Sequence, residues 1–225
     1  MNIKNIKEKL KNKETRWLVA ITISFITTIL FALYNGFLGL YKHSIWNGSI
    51  CVYYLFLVAL KLVILTNEHK MKNIQNEELK SSKRKKVFFV LSIIILVMNF
   101  SLVVPISLMV LSQKQVEFGL VPAIIVATYT TYKITMAIIN YVKFKSYENL
   151  AYRQIRTINL IDAILSVLTL QNTLIMVNDG SISGSMLTLT AITSFVGIVL
   201  IIILSIISLV KYIKENKNTI PKIKN

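Results

Sequence analysis

The chain has 225 residues, of which 54% are hydrophobic and 16% charged, with a mean hydropathy of +0.61. That is more apolar surface than one soluble core could hide, which excludes an ordinary soluble domain and makes a lipid bilayer the natural solvent. The formal charge of +16 does not mark a nucleic-acid binder, because the Lys and Arg residues stand in short blocks between apolar runs and form no continuous track for phosphates.

Residues 1–16 form a basic arm in which Ile3, Ile6 and Leu10, with Trp17 just beyond, share one helical face against a lysine-rich remainder. This is the pattern of an amphipathic helix lying on anionic head groups. The apolar run that follows, 17–40, is read as a span and not as a secretory signal. It is longer than a signal core of about 7 to 15 residues, and no small-residue cleavage site follows at Asn35-Gly36-Phe37-Leu38-Gly39.

Five further runs, 50–66, 87–111, 119–142, 157–177 and 186–210, come close to or exceed the roughly 20 apolar residues that cross a hydrocarbon core. Their continuity excludes a transmembrane barrel, whose strands would alternate apolar and polar over about 10 residues. The expected fold is all-α: a polytopic transmembrane bundle of six spans over 17–210, flanked by the arm and by a basic tail over 211–225.

Of the 26 Lys and Arg residues, 22 fall in the arm, the second and fourth loops and the tail; Lys42 and Lys114 lie on the other face, and Lys61 and Lys133 within spans. The positive-inside bias then makes the lysine-rich face cytoplasmic, with both termini inside, as for a multi-pass protein of the cell membrane. The fourth loop, from Ser146 to Leu150 onward, has two readings, as has the arm: an interfacial turn, here with Ser146 as its candidate cap, or a solvated charged segment that only sets topology.

Three ionisable residues sit inside spans: Lys61 in the second, Lys133 in the fourth and Asp162 in the fifth. A charge there costs roughly 2.5 to 3.5 kcal/mol on insertion scales, so each needs a partner or a wet cavity. At 1.5 Å per residue, Lys61 and Asp162 lie about 8 Å, and Lys133 about 14 Å, from the cytoplasmic ends of their runs. Topology pairs Asp162 with Lys133, on the adjoining span. Depth pairs it with Lys61, and both pairings stay open.

The fifth span carries a polar stripe of Asn159, Asp162, Ser166, Thr169 and Thr173 at intervals of 3 and 4. The fourth carries Tyr129, Lys133, Met136 and Asn140 in the same rhythm, with Thr128, Thr131 and Thr135 beside them. Two readings fit: these faces line a polar cavity, or they hydrogen-bond across helices. Asn35, Tyr53, Tyr54 and Asn99 are further candidates to face the interior, and Pro105 and Pro122 are candidate kinks. In the sixth span Thr190, Ser194, Gly197, Ser205 and Ser208, with Ile201 between, draw a close-packing stripe for a neighbouring helix, a second copy or a partner subunit.

No phosphate loop of the form G-x-x-x-x-G-K-[ST], no H-E-x-x-H and no G-x-S-x-G occurs. His43 and His69 fall on opposite faces, one carboxylate cannot form an acid pair, and Cys51 has no evident base. No cofactor, metal or catalytic residue is therefore assigned, and an enzyme is disfavoured.

Val121-Pro122, the run Ala127 to Lys133, Asp162-Ala163, Ser166 and Leu170-Gln171, with Ser44, Trp46, Tyr53-Tyr54 and Lys61, resemble a family of small bacterial six-span membrane proteins. The resemblance implies the span count and singles out Tyr132, Lys133, Lys61 and Asp162, without supplying a substrate.

Two functions fit the residues. One is a permease-like protein whose cytoplasmic-side polar cavity is lined by Lys61, Lys133, Asp162, Tyr129, Tyr132, Asn140 and Ser166. Its variant is a substrate-capture subunit working with a separate energising partner. The other is a non-transporting assembly or regulatory subunit. The orientation has its own test: a cysteine replacing Lys83 should be labelled in intact cells by a membrane-permeant maleimide only, and labelling by an impermeant one would invert the topology.

Overall fold

The computed structural model describes residues 13–72, 74–104, 107, 119–143, 150–177 and 184–217. Six helices occupy them: α1 (Lys13–Tyr41), α2 (Ile45–Lys72), α3 (Glu77–Ser101), α4 (Leu120–Lys143), α5 (Leu150–Val177) and α6 (Gly184–Lys217). The chain is an all-helical membrane protein. Five helices contain a stretch long and apolar enough to cross a bilayer: Val19–Tyr41, Ile45–Met71, Leu120–Val142, Leu150–Ile175 and Ala191–Val210. In α3 the helix is basic through Lys86 and turns apolar only at Val87, and most of the expected continuation to 111 lies outside the described residues. By length and composition, therefore, five of the six expected spans are long and apolar enough to cross a bilayer.

The helices outrun their apolar runs. The basic block expected as a second loop is instead helical, divided between the end of α2 and the start of α3, because Lys, Arg and Glu are good helix formers. Asn76 caps α3, accepting from the amides of Glu78 (3.0 Å) and Leu79 (3.1 Å), with Glu77 and Glu78 in the first turn. Arg84 clamps the two helix ends with a paired contact to Glu68, at 2.8 and 2.7 Å. The amphipathic pattern of residues 1–10, the turn at Ser146 and Pro105 lie outside the described residues.

The α1–α2 hairpin turns in three residues. His43 takes a left-handed conformation (φ 50°), and the Ser44 amide donates to the Gly39 carbonyl at 3.1 Å, closing the end of α1. The Ser44 hydroxyl then accepts from the Asn47 amide at 3.3 Å and starts α2. Glycine lets the two helices touch: a Cβ on Gly39 would stand 2.8 Å from the Gly48 backbone nitrogen, and one on Gly36 would stand 2.9 Å from Cys51 Sγ.

Helix α5 is the centre of the bundle, packing on α2, α3, α4 and α6, while α1 packs on α2 and α3 on α6. Accordingly 61% of its apolar stretch is buried, against 28 to 39% in the other four. Elsewhere the outer faces are apolar, as in Leu30, Leu33, Phe37, Val97 and Phe195, and suit contact with lipid.

The interior candidates Asn35, Tyr53, Tyr54 and Asn99 are all buried. Tyr53 donates to Asn99 Oδ1 (2.5 Å) and Asn99 Nδ2 to Ser205 Oγ (2.6 Å), which ties α2, α3 and α6 together. The small-residue stripe of α6 packs inside the chain: Ser194, Ile201 and Ser205 are buried, and a Cβ on Gly197 would meet Leu168 of α5 at 2.7 Å. Of the three partners the stripe suits, a neighbouring helix occupies it, and a second copy or subunit would have to dock elsewhere.

The hairpin contact predicts a contrast. Gly39→Ala forces a Cβ against backbone that cannot yield and should destabilise by about 1 to 3 kcal/mol. Gly48→Ala, with nothing within 4 Å of its Cβ, should be tolerated. Thermal unfolding in mild detergent, followed by helical circular dichroism, checks the pair, and equal behaviour would refute the close approach.

Candidate functional site

The polar stripe of α5 faces inward along its whole length: Asn159, Asp162, Ser166, Thr169 and Thr173 are all buried. Its members divide by partner. Ser166, Thr169 and Thr173 donate to carbonyls of their own helix, those of Ala163 (2.7 Å), Leu165 (3.0 Å) and Thr169 (2.8 Å). Thr130 of α4 reaches the Ser166 carbonyl at 3.0 Å. These bonds satisfy hydroxyls and stitch α4 to α5, and they keep Ser166 out of the charged site.

Asp162 is the centre. Its Oδ2 accepts from Lys61 Nζ at 3.2 Å and from Lys133 Nζ at 2.5 Å, so both lysines pair with the same oxygen. Asp162 and Lys61 are 0% exposed and Lys133 4%. Thr28 of α1 sits among them: its Oγ1 accepts from Lys61 (2.9 Å) and Lys133 (2.8 Å) and lies 2.7 Å from the Ser24 carbonyl and 3.2 Å from Asp162 Oδ2. Lys61 also donates to Ser24 Oγ at 3.2 Å, and that hydroxyl donates to Asn159 Oδ1 at 3.1 Å. The cluster thus joins α1, α2, α4 and α5.

Proton counting shows how full it is. Lys61 has three acceptors, Ser24, Thr28 and Asp162. Lys133 has two, Thr28 and Asp162, and stands 5.2 Å over the Tyr129 ring. Asp162 Oδ1, by contrast, is buried with no hydrogen-bond partner. With all three groups ionised the cluster carries one net positive charge. At an effective dielectric of 20 each Lys–Asp contact attracts by roughly 5 to 7 kcal/mol, against which stands the cost of burying the charges.

The two sides of the cluster differ. Toward the α1–α2 turn, Phe31 stacks on Tyr129 (centroids 3.6 Å, planes 4° apart) and meets Tyr54 edge-on at 5.1 Å, covering the charges with aromatic rings. The Tyr54 and Tyr129 hydroxyls are buried there beside each other, with Thr28 next to that of Tyr129. Toward the basic end of the bundle, Ser24 and Asn159 lead to a cleft lined by Asn140, Tyr152 and Arg156, of about 10 Å³, room for about one water.

No family model, curated protein or solved structure matches this chain.

Of the residues singled out in the sequence, Lys61, Lys133 and Asp162 meet directly, Tyr129 forms one wall, and Asn140 lines the cleft on the basic side. Tyr132 lies beside Thr27 of α1 and outside the cluster. Ser24 and Thr28 are the site residues sequence reasoning missed. Their signal was a spacing of four on one face of α1, continued by Asn35 a further seven residues on. Among the described residues, no group of three or more His, Cys, Asp or Glu could hold a metal.

Substitutions should separate the charges from their packing. Asp162→Asn leaves two lysines facing each other in a dry core and should cost about 3 to 5 kcal/mol. Lys133→Met leaves a one-to-one pair and should cost less. Changing Lys61 and Lys133 to Met together with Asp162 to Asn should restore stability to near that of the unaltered chain. Unfolding temperatures of the purified proteins give the order, and an Asp162→Asn protein as stable as the original would rule out a charged cluster.

Proposed function

We propose that this chain is a small permease-like protein of the cell membrane, in which Lys61, Lys133 and Asp162 form a charge-selective site reached from the cytoplasm. The proposal includes six spans with both termini inside, which the distribution of Lys and Arg supports. Membership of the small six-span family that its spans resemble belongs to the same reading.

The observation that carries it is the composition of the cluster: two ammonium groups on one carboxylate oxygen, away from any solvent, with the second oxygen unmatched. A purely structural ion pair needs one cation per anion. The extra lysine leaves a net positive charge inside the bundle, and an anionic group is what such a site attracts. An entering anion takes over one lysine from Asp162 while the carboxylate keeps the other, so neither ammonium is ever left bare. The path runs through Asn140, Asn159 and Ser24, whose amides and hydroxyl can exchange hydrogen bonds with a polar guest. The rings of Phe31, Tyr54 and Tyr129 close the opposite side, and that asymmetry is what a cytoplasm-facing closed state requires.

A second reading has support of its own. Every proton of Lys61 is already matched within the chain, as expected if the cluster only fixes the packing of four helices in an assembly or regulatory subunit. A substrate-capture subunit with a separate energising partner would keep the same site. Native mass spectrometry from mild detergent distinguishes the readings. The permease reading expects a small anionic molecule retained by the unaltered chain and lost from the folded variant carrying Met at 61 and 133 and Asn at 162. A chain that carries no anionic molecule, or one held equally by the variant, overturns it.

A further inference from the structure

Helices α2 and α3 follow each other in the chain, yet α2 packs chiefly on α1 and α3 chiefly on α6, leaving a gap between them on the lipid-facing side. The gap is a groove of about 460 Å³, within the range of ligand sites. Phe56 and Val63 of α2 face Val90 and Ile94 of α3 along it, and its polar lining residues, Asn67 and Lys86, both belong to the basic end of the bundle. Asn67 gives an amide proton to the Val63 carbonyl at 2.8 Å, so its carbonyl oxygen, and the Lys86 ammonium, remain for a guest. From Phe56 to Asn67 α2 rises about 17 Å, which matches one leaflet of a hydrocarbon core about 30 Å thick.

Charge completes the description. Arg84 and Glu68 neutralise each other beside the groove, and Lys80 is paired with Glu77. Lys83, Lys85 and Lys86 form no ion pair among the described residues, and Lys86 stands at the mouth. An apolar slot one leaflet long, ending in an unneutralised lysine at the membrane surface, has the shape and charge of a lipid whose head group is an anion.

We infer that this groove binds one anionic phospholipid, with an acyl chain lying between α2 and α3 and the phosphate held by Lys86. The site is separate from the Lys61–Asp162–Lys133 cluster and does not depend on transport. A lipid here seals a seam that the protein leaves unpacked, and its head group sits against the Arg84–Glu68 clamp that fixes the two helix ends.

Delipidated full-length protein in detergent, titrated with phosphatidylglycerol and with phosphatidylcholine of the same chains, tests this by native mass spectrometry. One phosphatidylglycerol should bind at least about fivefold more tightly than phosphatidylcholine, and Lys86→Gln should remove about fivefold of that affinity. Ala59→Trp, which fills the groove, should abolish binding of both lipids while leaving the elution volume unchanged. Lys86 lies outside the core, so the Lys86→Gln result decides the matter if Ala59→Trp does not fold. Equal binding of the two lipids, an unaffected Lys86→Gln, or displacement by glycerol 3-phosphate alone would overturn the proposal, the last by showing a site for a free anion.

Discussion

A carboxylate in hydrocarbon cannot keep its charge unless the chain itself replaces water around it, and Asp162 imposes that condition on this bundle. Two lysines pair with it, Lys61 from α2 and Lys133 from α4, and Thr28 of α1 accepts from both of them. Each must arrive at the depth of Asp162, which fixes the rotation of all three helices relative to α5. The central position of α5 follows, because a helix with a polar stripe from Asn159 to Thr173 can satisfy it only where neighbours surround it. Helix α6, without a buried charge among its described residues, is held instead by small residues and by the Tyr53–Asn99–Ser205 bonds.

The distribution of charge made the spans legible, since apolar runs of membrane length are rare by chance and their basic flanks mark the ends. It also made the cluster partly legible, since three charges inside such runs must find each other. What sequence could not supply was the pairing. The depth difference between Lys61 and Lys133 was comparable to the uncertainty in where each helix enters the membrane, and the outcome, both lysines on one oxygen, answered neither alternative alone. Ser24 and Thr28 escaped notice because a hydroxyl in an apolar helix usually returns its proton to its own backbone. Thr28 does make that bond, to the Ser24 carbonyl, and uses its lone pairs for the lysines as well.

The basic segment between the second and third runs hides its structure for a different reason. Charge does not by itself mark a loop: a helix can continue past the apolar core once its side chains reach the head groups, and a capped start at Asn76 with a clamp from Arg84 to Glu68 makes that continuation rigid. The stripe of small residues on α6 is a packing face, with Ser194, Ile201 and Ser205 buried and Gly197 against Leu168. Which partner fills it was beyond sequence, because the spacing of small residues is the same for a helix of the same chain as for a second copy.

The cluster holds one contradiction that packing alone does not resolve. Two lysines crowd onto Oδ2 while Oδ1 of the same carboxylate has no donor, although giving each lysine its own oxygen would relieve both repulsion and desolvation. Thr28 explains the crowding: both ammonium groups also bind its hydroxyl, which lies on the Oδ2 side, so helix α1 gathers them there. Moving either lysine to Oδ1 would mean leaving Thr28. The bundle therefore keeps an unused acceptor beside an excess of positive charge. Buried groups left in this state cost about 1 to 3 kcal/mol each. A cluster that only held four helices would need one cation for its one carboxylate, and the second lysine is positive charge beyond that need.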